Sequence, residues 1–377
     1  MCIRDSMTLD LKWSQYDFSK IPFHNIVSLG QRTLLYRDLF TVSWLLGRYC
    51  NYKCSYCWPY AHTTKKDHRS TELCLKTIDE IKRQARENGF NSFHFSLSGG
   101  EPTFHPGYLD ILKYLSDDVS NTNFTSIHMT SNCSRPLEWF KTYAEYAKPF
   151  HRASITASLH TEHVATAEDL DTFATKLEYC QTYDIQVTVN MVMVPEWFDR
   201  DWKNALYLHN RGINVTLKPQ SDPTASRVVD GYTDTNLRIL HNGMPQRSYT
   251  EIKRKWAGRP LPRSELTQAV QDNSTVPGHF QVELKDSNGK KWYMDQAERF
   301  NAFNFNKFKG WTCNAGFQGI IIREPDGNIK RSYSCHDTPL GNIETGFKLF
   351  NKPVVCTTES CVSSADSKIP KRKICNL

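Results

Sequence analysis

Phe93-His94-Phe95-Ser96-Leu97-Ser98-Gly99-Gly100-Glu101-Pro102 is the stretch from which the rest of the chain is best read. Phe93, Phe95 and Leu97 alternate with polar residues, the period of a strand with one apolar face. The strand stops at two glycines, where a backbone can approach a ligand closely. Glu101 then supplies a carboxylate that suits an ammonium group, and Pro102 stiffens the exit. Taken alone, such a turn also fits a loop with a solvated glutamate.

Reading outward, strands and helices alternate. Residues 39–46 form a buried apolar run that leads into a loop. Ser70 is a fair cap for a helix with Leu73, Ile78, Ile81 and Ala85 on one face, and Gly89 ends it. Further strands are predicted at 124–130, 153–159, 185–194 and 213–217, with Val187, Val189, Met191 and Met193 sharing a face. Helical stretches fall near 108–117, 136–148, 164–183 and 196–210. Six βα units predict an α/β fold with a parallel sheet and right-handed crossovers. Periodicity does not distinguish an open sheet from a partial barrel. Either would place a ligand at the C-terminal strand ends.

The loop after the first strand reads Cys50-Asn51-Tyr52-Lys53-Cys54-Ser55-Tyr56-Cys57. It offers three thiolates and only three. A structural zinc site takes four protein ligands. A [4Fe–4S] cube has four irons, each needing an outside ligand, so three cysteines leave one iron open to a substrate or cofactor. A zinc site completed by a distant residue such as His62 or His68 stays open on spacing alone.

The cysteine triplet together with the Gly-Gly-Glu-Pro strand end resembles the radical S-adenosylmethionine (SAM) superfamily. The resemblance covers about residues 39–218. It implies a partial (β/α)6 TIM-like barrel whose [4Fe–4S] cluster is held by Cys50, Cys54 and Cys57, with SAM chelating the open iron. It also implies that Gly99, Gly100, Glu101 and Pro102 contact the SAM amino group and that Tyr56 lies near the adenine. Polar residues at later strand ends would bind the SAM carboxylate and ribose. Asn132, Ser158 and Asn190 are the candidates, with Lys218 at the end of the sixth strand. His160 and Glu162 are candidates for acid–base work on the substrate.

A second group of cysteines follows. Cys313 and Cys335 flank a predicted hairpin built from Ile320-Ile321-Ile322, the turn Pro325-Asp326-Gly327-Asn328 and a return from Ile329; Cys356 and Cys361 share a later loop. Four cysteines in a compact unit make a closed tetrahedral site, for zinc or for iron–sulfur. The arrangement resembles the SPASM module and its shorter relative twitch, which implies one fully ligated auxiliary [4Fe–4S] cluster. The seven residues between Gly327 and Cys335 exceed the usual spacing there. Cys375 is an alternative ligand, Cys74 and Cys180 read as core residues, Cys133 follows Asn132, and Cys2 has no evident role.

Length and composition set the frame. At 377 residues, two or three domains are expected. The resemblance divides them into an N-terminal extension at 1–38, the barrel at 39–222, a bridging region at 223–305 and the auxiliary module at 306–377. Residues 223–305 contain the basic run Lys253-Arg254-Lys255-Trp256 with Arg259 and Arg263, and a hairpin with Asn288-Gly289 near its turn. Twelve cysteines in a chain whose start lacks an apolar signal core argue for metal or redox work in the cytoplasm. Met7 offers an alternative start. No apolar run is long enough for a bilayer, so no membrane partner is expected. The charge of +7 would fall on cluster binding, since four thiolates around a 2+ core contribute about −2 and three about −1. A mildly basic surface gives no reason to expect nucleic acid.

The implied activity is reductive cleavage of SAM to a 5′-deoxyadenosyl radical that takes a hydrogen atom from the substrate. Iron–sulfur potentials span roughly −700 to +450 mV, and this cleavage needs the low end. The electron donor would therefore be a low-potential partner such as flavodoxin or ferredoxin. An auxiliary cluster able to accept an electron favours an oxidoreductase-like outcome, a two-electron oxidation or rearrangement of a small metabolite, sugar or nucleotide. The alternatives are a SPASM-type peptide or protein side-chain maturase and a non-catalytic iron–sulfur or zinc protein. About 38 residues precede the first predicted strand, fewer than a peptide-clasping domain is expected to need, which tilts the expectation towards a small substrate; a groove near 223–305 is the alternative place for a peptide.

Overall fold

The structure is a computed structural model that describes residues 18–31, 38–58, 63–66, 68–223, 227–246, 282–294, 300, 303–323, 326–335, 339–361, 363, 366 and 369–374. Cys2, His62, the basic run at 253–263, Pro325 and Cys375 lie outside the described residues. The chain divides into two compact units, one of residues 44–75 and 95–264, the other of 1–43, 76–94 and 265–377.

The first unit holds the ends of β2 (Leu39–Leu45) and β3 (Ser92–Ser98), followed by β4 (Phe124–Ser131), β5 (Arg152–Leu159), β6 (Gln186–Met193) and β7 (Asn214–Pro219). They lie in the order β2-β3-β4-β5-β6-β7, and β4 to β7 pair in parallel. Between strands run α2 (Tyr108–Asp117), α3 (Leu137–Ala147), α4 (Ala167–Gln181) and α5 (Phe198–Asn210); α6 (Asp234–Asn242) follows β7. Sequential order with crossovers of one hand places every helix on the same side of the sheet. The residue pattern obeys that rule. Ala153, Ile155, Ala157 and Leu159 on β5 and Val187, Val189, Met191 and Met193 on β6 are buried, while Ser154, Thr156, Ser158, Thr188 and Asn190 between them are half-buried. This is the winding of a (β/α) barrel and is consistent with the partial barrel expected.

Helix ends follow local chemistry. α1 (Thr71–Glu87) begins where the Ser70 hydroxyl accepts from Leu73 N at 3.2 Å, and Gly89 at φ +88° stops it. The stretch expected at 164–183 starts only at Ala167, because Thr166 and Asp169 form a reciprocal capping box. The stretch expected from 196 opens as a 3₁₀ turn at Pro195–Trp197 before α5.

The second unit contains an antiparallel six-stranded sheet, in the order β15-β10-β16-β1-β8-β9. Its strands are β1 (Ile26–Gln31), β8 (Val282–Asp286), β9 (Lys291–Met294), β10 (Thr312–Cys313), β15 (Val354–Val355) and β16 (Lys371–Arg372). β8 and β9 form the hairpin expected around Asn288-Gly289, with Asp286 Oδ1 accepting from the amides of Asn288 at 3.0 Å and Lys290 at 2.9 Å. The hairpin expected between Cys313 and Cys335 is also present, as β11 (Gly319–Arg323) paired with β12 (Asn328–Lys330). β13 (Gly341–Asn342) and β14 (Gly346–Phe347) extend it to the order β14-β13-β12-β11-β2. One row of cross-strand partners runs Val354, Cys313, Lys371, Leu29, Leu284, Trp292. Every member but one is apolar. Leu29, Leu284 and Cys313 belong to a core that includes Phe18, Ile26, Phe300 and Phe308. Among the described residues no helix is long and apolar enough to cross a membrane.

Candidate functional site

The cysteine loop is stitched to the strand end that the sequence singled out. Leu46 N donates to Ser98 O at 2.8 Å, Gly100 N to Gly47 O at 2.9 Å and Glu101 N to Tyr49 O at 2.7 Å. The close approach that the two glycines permit is to the chain itself. A Cβ on Gly99, whose φ is +148°, would sit 2.3 Å from Gly47 O; one on Gly100 would sit 2.3 Å from Arg48 O. The loop closes where Cys50 N donates to Thr63 O at 3.1 Å and Thr63 N to Arg48 O at 2.8 Å. Inside it, Cys57 N donates to Cys54 O at 3.1 Å.

Glu101 is buried, and its carboxylate is taken up by protein donors. Oε1 accepts from Thr103 N at 3.1 Å, Thr103 Oγ1 at 2.6 Å and Ser131 Oγ at 2.8 Å, while Oε2 accepts from Asn132 N at 2.6 Å. Its side chain therefore ties the end of β3 to the end of β4. Burial raises the Glu101 pKa, and the hydrogen bonds oppose that rise. Asn132 carries the tie to the cysteines: its Nδ2 donates to Asn51 Oδ1 at 2.9 Å and lies 3.9 Å from Cys50 Sγ.

A second clasp comes from the turn after β5. Glu162 accepts from Ser55 N at 2.9 Å and from the Ser55 hydroxyl. His163 Nε2 accepts from Lys53 N at 3.3 Å, and its ring stacks on Tyr52 with centroids 4.1 Å apart. Tyr56 OH and His160 Nδ1 are 2.8 Å apart. Glu162, a candidate for acid–base work, is thus occupied in holding the loop. His163 was not anticipated; its only sequence signal is a place three residues after His160. Asp201 was also missed. It is fully buried at the start of α5, where Arg200 donates to its Oδ1 and burial raises its pKa against the pull of Thr161 and Arg200.

The electrostatics fit a cationic guest. Burial, with Glu162 and the neighbouring thiols, pushes Cys54 up to about 12; burial raises Cys50 and Cys57 as well. Burial likewise carries Tyr52 up to about 12. Three sulfurs crowded among carboxylates hold their protons until a positive centre displaces them. No group of three His, Cys, Asp or Glu among the described residues is arranged to hold a single metal ion. Three thiols on one loop match three of the four irons of a [4Fe–4S] cube and leave the fourth open.

Ser158 and Asn190 are cross-strand partners on the polar side of the sheet, in a row continued by Thr216. A second row reads Thr130, Thr156, Thr188, Asn214, and a third His128, Ser154, Gln186. His128 Nδ1 lies 2.8 Å from Ser154 Oγ. Lys218, at the end of β7, is exposed. Among the described residues no side-chain hydrogen bond joins Ser158 or Asn190 to the cysteine loop.

Cys313, Cys335, Cys356 and Cys361 lie in the second unit, all buried and none in a disulfide, and they too form no three-ligand group for a single metal ion among the described residues. Cys356 and Cys361 each feel the charge of Cys313, and Cys356 that of Cys335. Ala315 N donates to Cys313 Sγ at 3.5 Å and Ser332 Oγ to Cys335 Sγ at 3.2 Å. Burial pushes Cys361 up to about 12 and raises Cys356, with Lys371 pulling both down.

Residues 44–208 match the family model of the Radical SAM superfamily. The S-adenosylmethionine-dependent nucleotide dehydratase RSAD2 of Oncorhynchus mykiss is 28% identical over 175 residues, 43% of this chain and 46% of that protein. The chain thus spans about half the length of that curated relative. Solved structures of native anSMEcpe with bound AdoMet and Kp18Cys peptide (15% identity, TM-score 0.47, 82% of this chain and 79% of that one) and of BtrN with AdoMet and 2-DOIA (11%, 0.27, 63% and 94%) are more remote. Over residues 44–208, which include the cysteine loop, the chain is similar to the radical SAM superfamily.

Proposed function

We propose that the chain is a radical SAM enzyme that acts on a polar small molecule, of the nucleotide or sugar class. The observation that carries the reading is the cysteine loop standing beside a sheet face lined by hydroxyls, amides and an imidazole. A packed (β/α) barrel fills its interior with branched apolar side chains; rows of Thr, Ser, Asn and Gln suit a hydrated or hydroxylated ligand. The relative's description as a nucleotide dehydratase points the same way. Cys50, Cys54 and Cys57 would hold a [4Fe–4S] cluster, with Tyr56, the Gly99–Gly100 backbone, Asn132, Ser158 and Asn190 around SAM. What such a cluster would supply when bound is a one-electron reduction of SAM at low potential. The chain's own residues then have two tasks. Glu101, Asn132, Glu162 and His163 fix the loop, and the polar rows orient the substrate. Cys313, Cys335, Cys356 and Cys361 would hold an auxiliary [4Fe–4S] cluster in a SPASM/twitch-like module at 306–377, following the barrel at 39–222. That module is also what favours the second reading, a peptide maturase. The setting would be cytoplasmic, with a flavodoxin or ferredoxin as donor.

The test is anaerobic reconstitution, iron analysis, and 5′-deoxyadenosine release with dithionite and SAM, beside Cys54→Ala. About eight irons per chain are expected, four at each site, with 5′-deoxyadenosine lost in the variant. Release stimulated by nucleoside phosphates or sugar phosphates supports the substrate class. Stimulation by peptides alone would transfer the reading to a maturase.

A further inference from the structure

Lys371 breaks the row described above. Its cross-strand neighbours are Cys313 on one side and Leu29 on the other, and directly paired residues in an antiparallel sheet project to the same face. It is 3% exposed, as are Cys313 and Leu29. A lysine in a row of Val, Leu and Trp is costly, because burying an ammonium loses its hydration. Its Nζ donates to Asp366 O at 2.7 Å and Ile369 O at 2.9 Å and lies 4.9 Å from the centroid of the buried Phe308 ring. Those partners hold the charge in place but do not explain why the fold keeps a charge there.

The surroundings supply a reason. Among the described residues, Asp366 and Arg331 are charged groups of this neighbourhood. The Asp366 carboxylate is engaged by the amides of Tyr333 at 3.2 Å and Ser334 at 2.6 Å, which fastens the turn before Cys335. Arg331 Nε donates to Ala315 O at 3.3 Å. Lys371 is, among the described residues, a cation whose charge reaches the thiols of both Cys356 and Cys361, and it pairs directly with Cys313 across the strands. Four thiolates around a 2+ core carry about −2, and one more negative charge on reduction.

We propose that Lys371 is the built-in counter-charge of the four-cysteine site, a positioning residue whose buried ammonium stabilises the reduced, more negative state of the cluster held there. This rests on the reading of Cys313, Cys335, Cys356 and Cys361 as an iron–sulfur site. A buried cation favours the state with the extra electron, so its removal lowers the reduction potential.

The test uses the full chain with Cys50→Ala, Cys54→Ala and Cys57→Ala, so that the second site alone binds iron. Lys371→Met and Lys371→Arg are compared in that background. Methionine matches the lysine stem and suits the apolar row, and arginine keeps the charge. Iron and zinc are counted first, and the potential is then followed by electron paramagnetic resonance in a redox titration. About four irons, a Lys371→Met potential lower by at least a tenfold change in the equilibrium (about 59 mV for one electron), and a Lys371→Arg potential near the parent's would support the proposal. Zinc, or no metal, in the parent would end the iron–sulfur reading itself. Iron with equal potentials in parent and Lys371→Met would overturn the role of Lys371 and leave the site intact. Loss of iron from Lys371→Met but not from Lys371→Arg would support the counter-charge; loss from both would show that shape, not charge, is what the site needs.

Discussion

Glu101 has a structural task that its sequence context does not announce. Its place after two glycines marks it as a partner for an ammonium, and within the chain its carboxylate also accepts from Thr103, Ser131 and Asn132. No local pattern reports those partners, since Ser131 and Asn132 lie thirty residues downstream on another strand. Glu101→Gln would set an amide NH₂ or a weaker acceptor against these donors. We expect a loss of about 1–3 kcal/mol in urea melts and a lower iron content after reconstitution. Unchanged stability would mean that the donors find other acceptors. His105 makes a different prediction. Burial and the neighbouring His68 hold its imidazole down at about 4, and its Nδ1 accepts from Gly107 N at 3.1 Å. The folded pKa lies below the unfolded value of about 6.5, so the unfolded chain binds the extra proton. Stability from this group is full above about 6.5 and drains as pH falls towards 4. Unfolding measured at pH 7 and pH 5 should show that loss in the parent and a smaller one in His105→Asn, whose Oδ1 can still accept from Gly107.

At the scale of elements, period and punctuation made most of the first unit legible. The alternation of β5 and β6, the Ser70 cap and the Gly89 stop all stand where the residues put them. What stayed hidden was contact between elements. The turn after β5 grips the cysteine loop through Glu162 and His163, more than a hundred residues away, and a lone His or Glu carries no signal of that. Glu162→Gln together with His163→Ala should leave the melting temperature nearly unchanged, because the grip is at the surface, yet speed amide exchange at Lys53 and Ser55. Equal exchange rates would show that the loop needs no clasp. Gly99→Ala should do the opposite. Its Cβ would meet Gly47 O at 2.3 Å in a backbone region that side chains avoid. A loss of about 2 kcal/mol or more is expected in the same melts.

For the whole molecule, the barrel was readable because parallel βα units repeat one local grammar. The second unit was readable only in its hairpins. β1 carries little alternation in Ile26-Val27-Ser28-Leu29-Gly30-Gln31, and its partners β8 and β16 lie more than 250 and 340 residues further on. Leu29→Asp, which buries a carboxylate between Leu284 and Lys371, should cost more than about 3 kcal/mol and lower soluble yield.

That pairing also sets a timetable. A ribosome extends a chain by about 5–20 residues each second. β1 therefore leaves the exit tunnel tens of seconds before β16 exists. The sheet that presents Cys313 cannot close until residue 371 has been made, whereas the strands from 124 to 219 have their partners early. Premature termination anywhere before residue 371 would release a chain with its second cysteine site unbuilt, which makes late nonsense codons as damaging to that site as early ones.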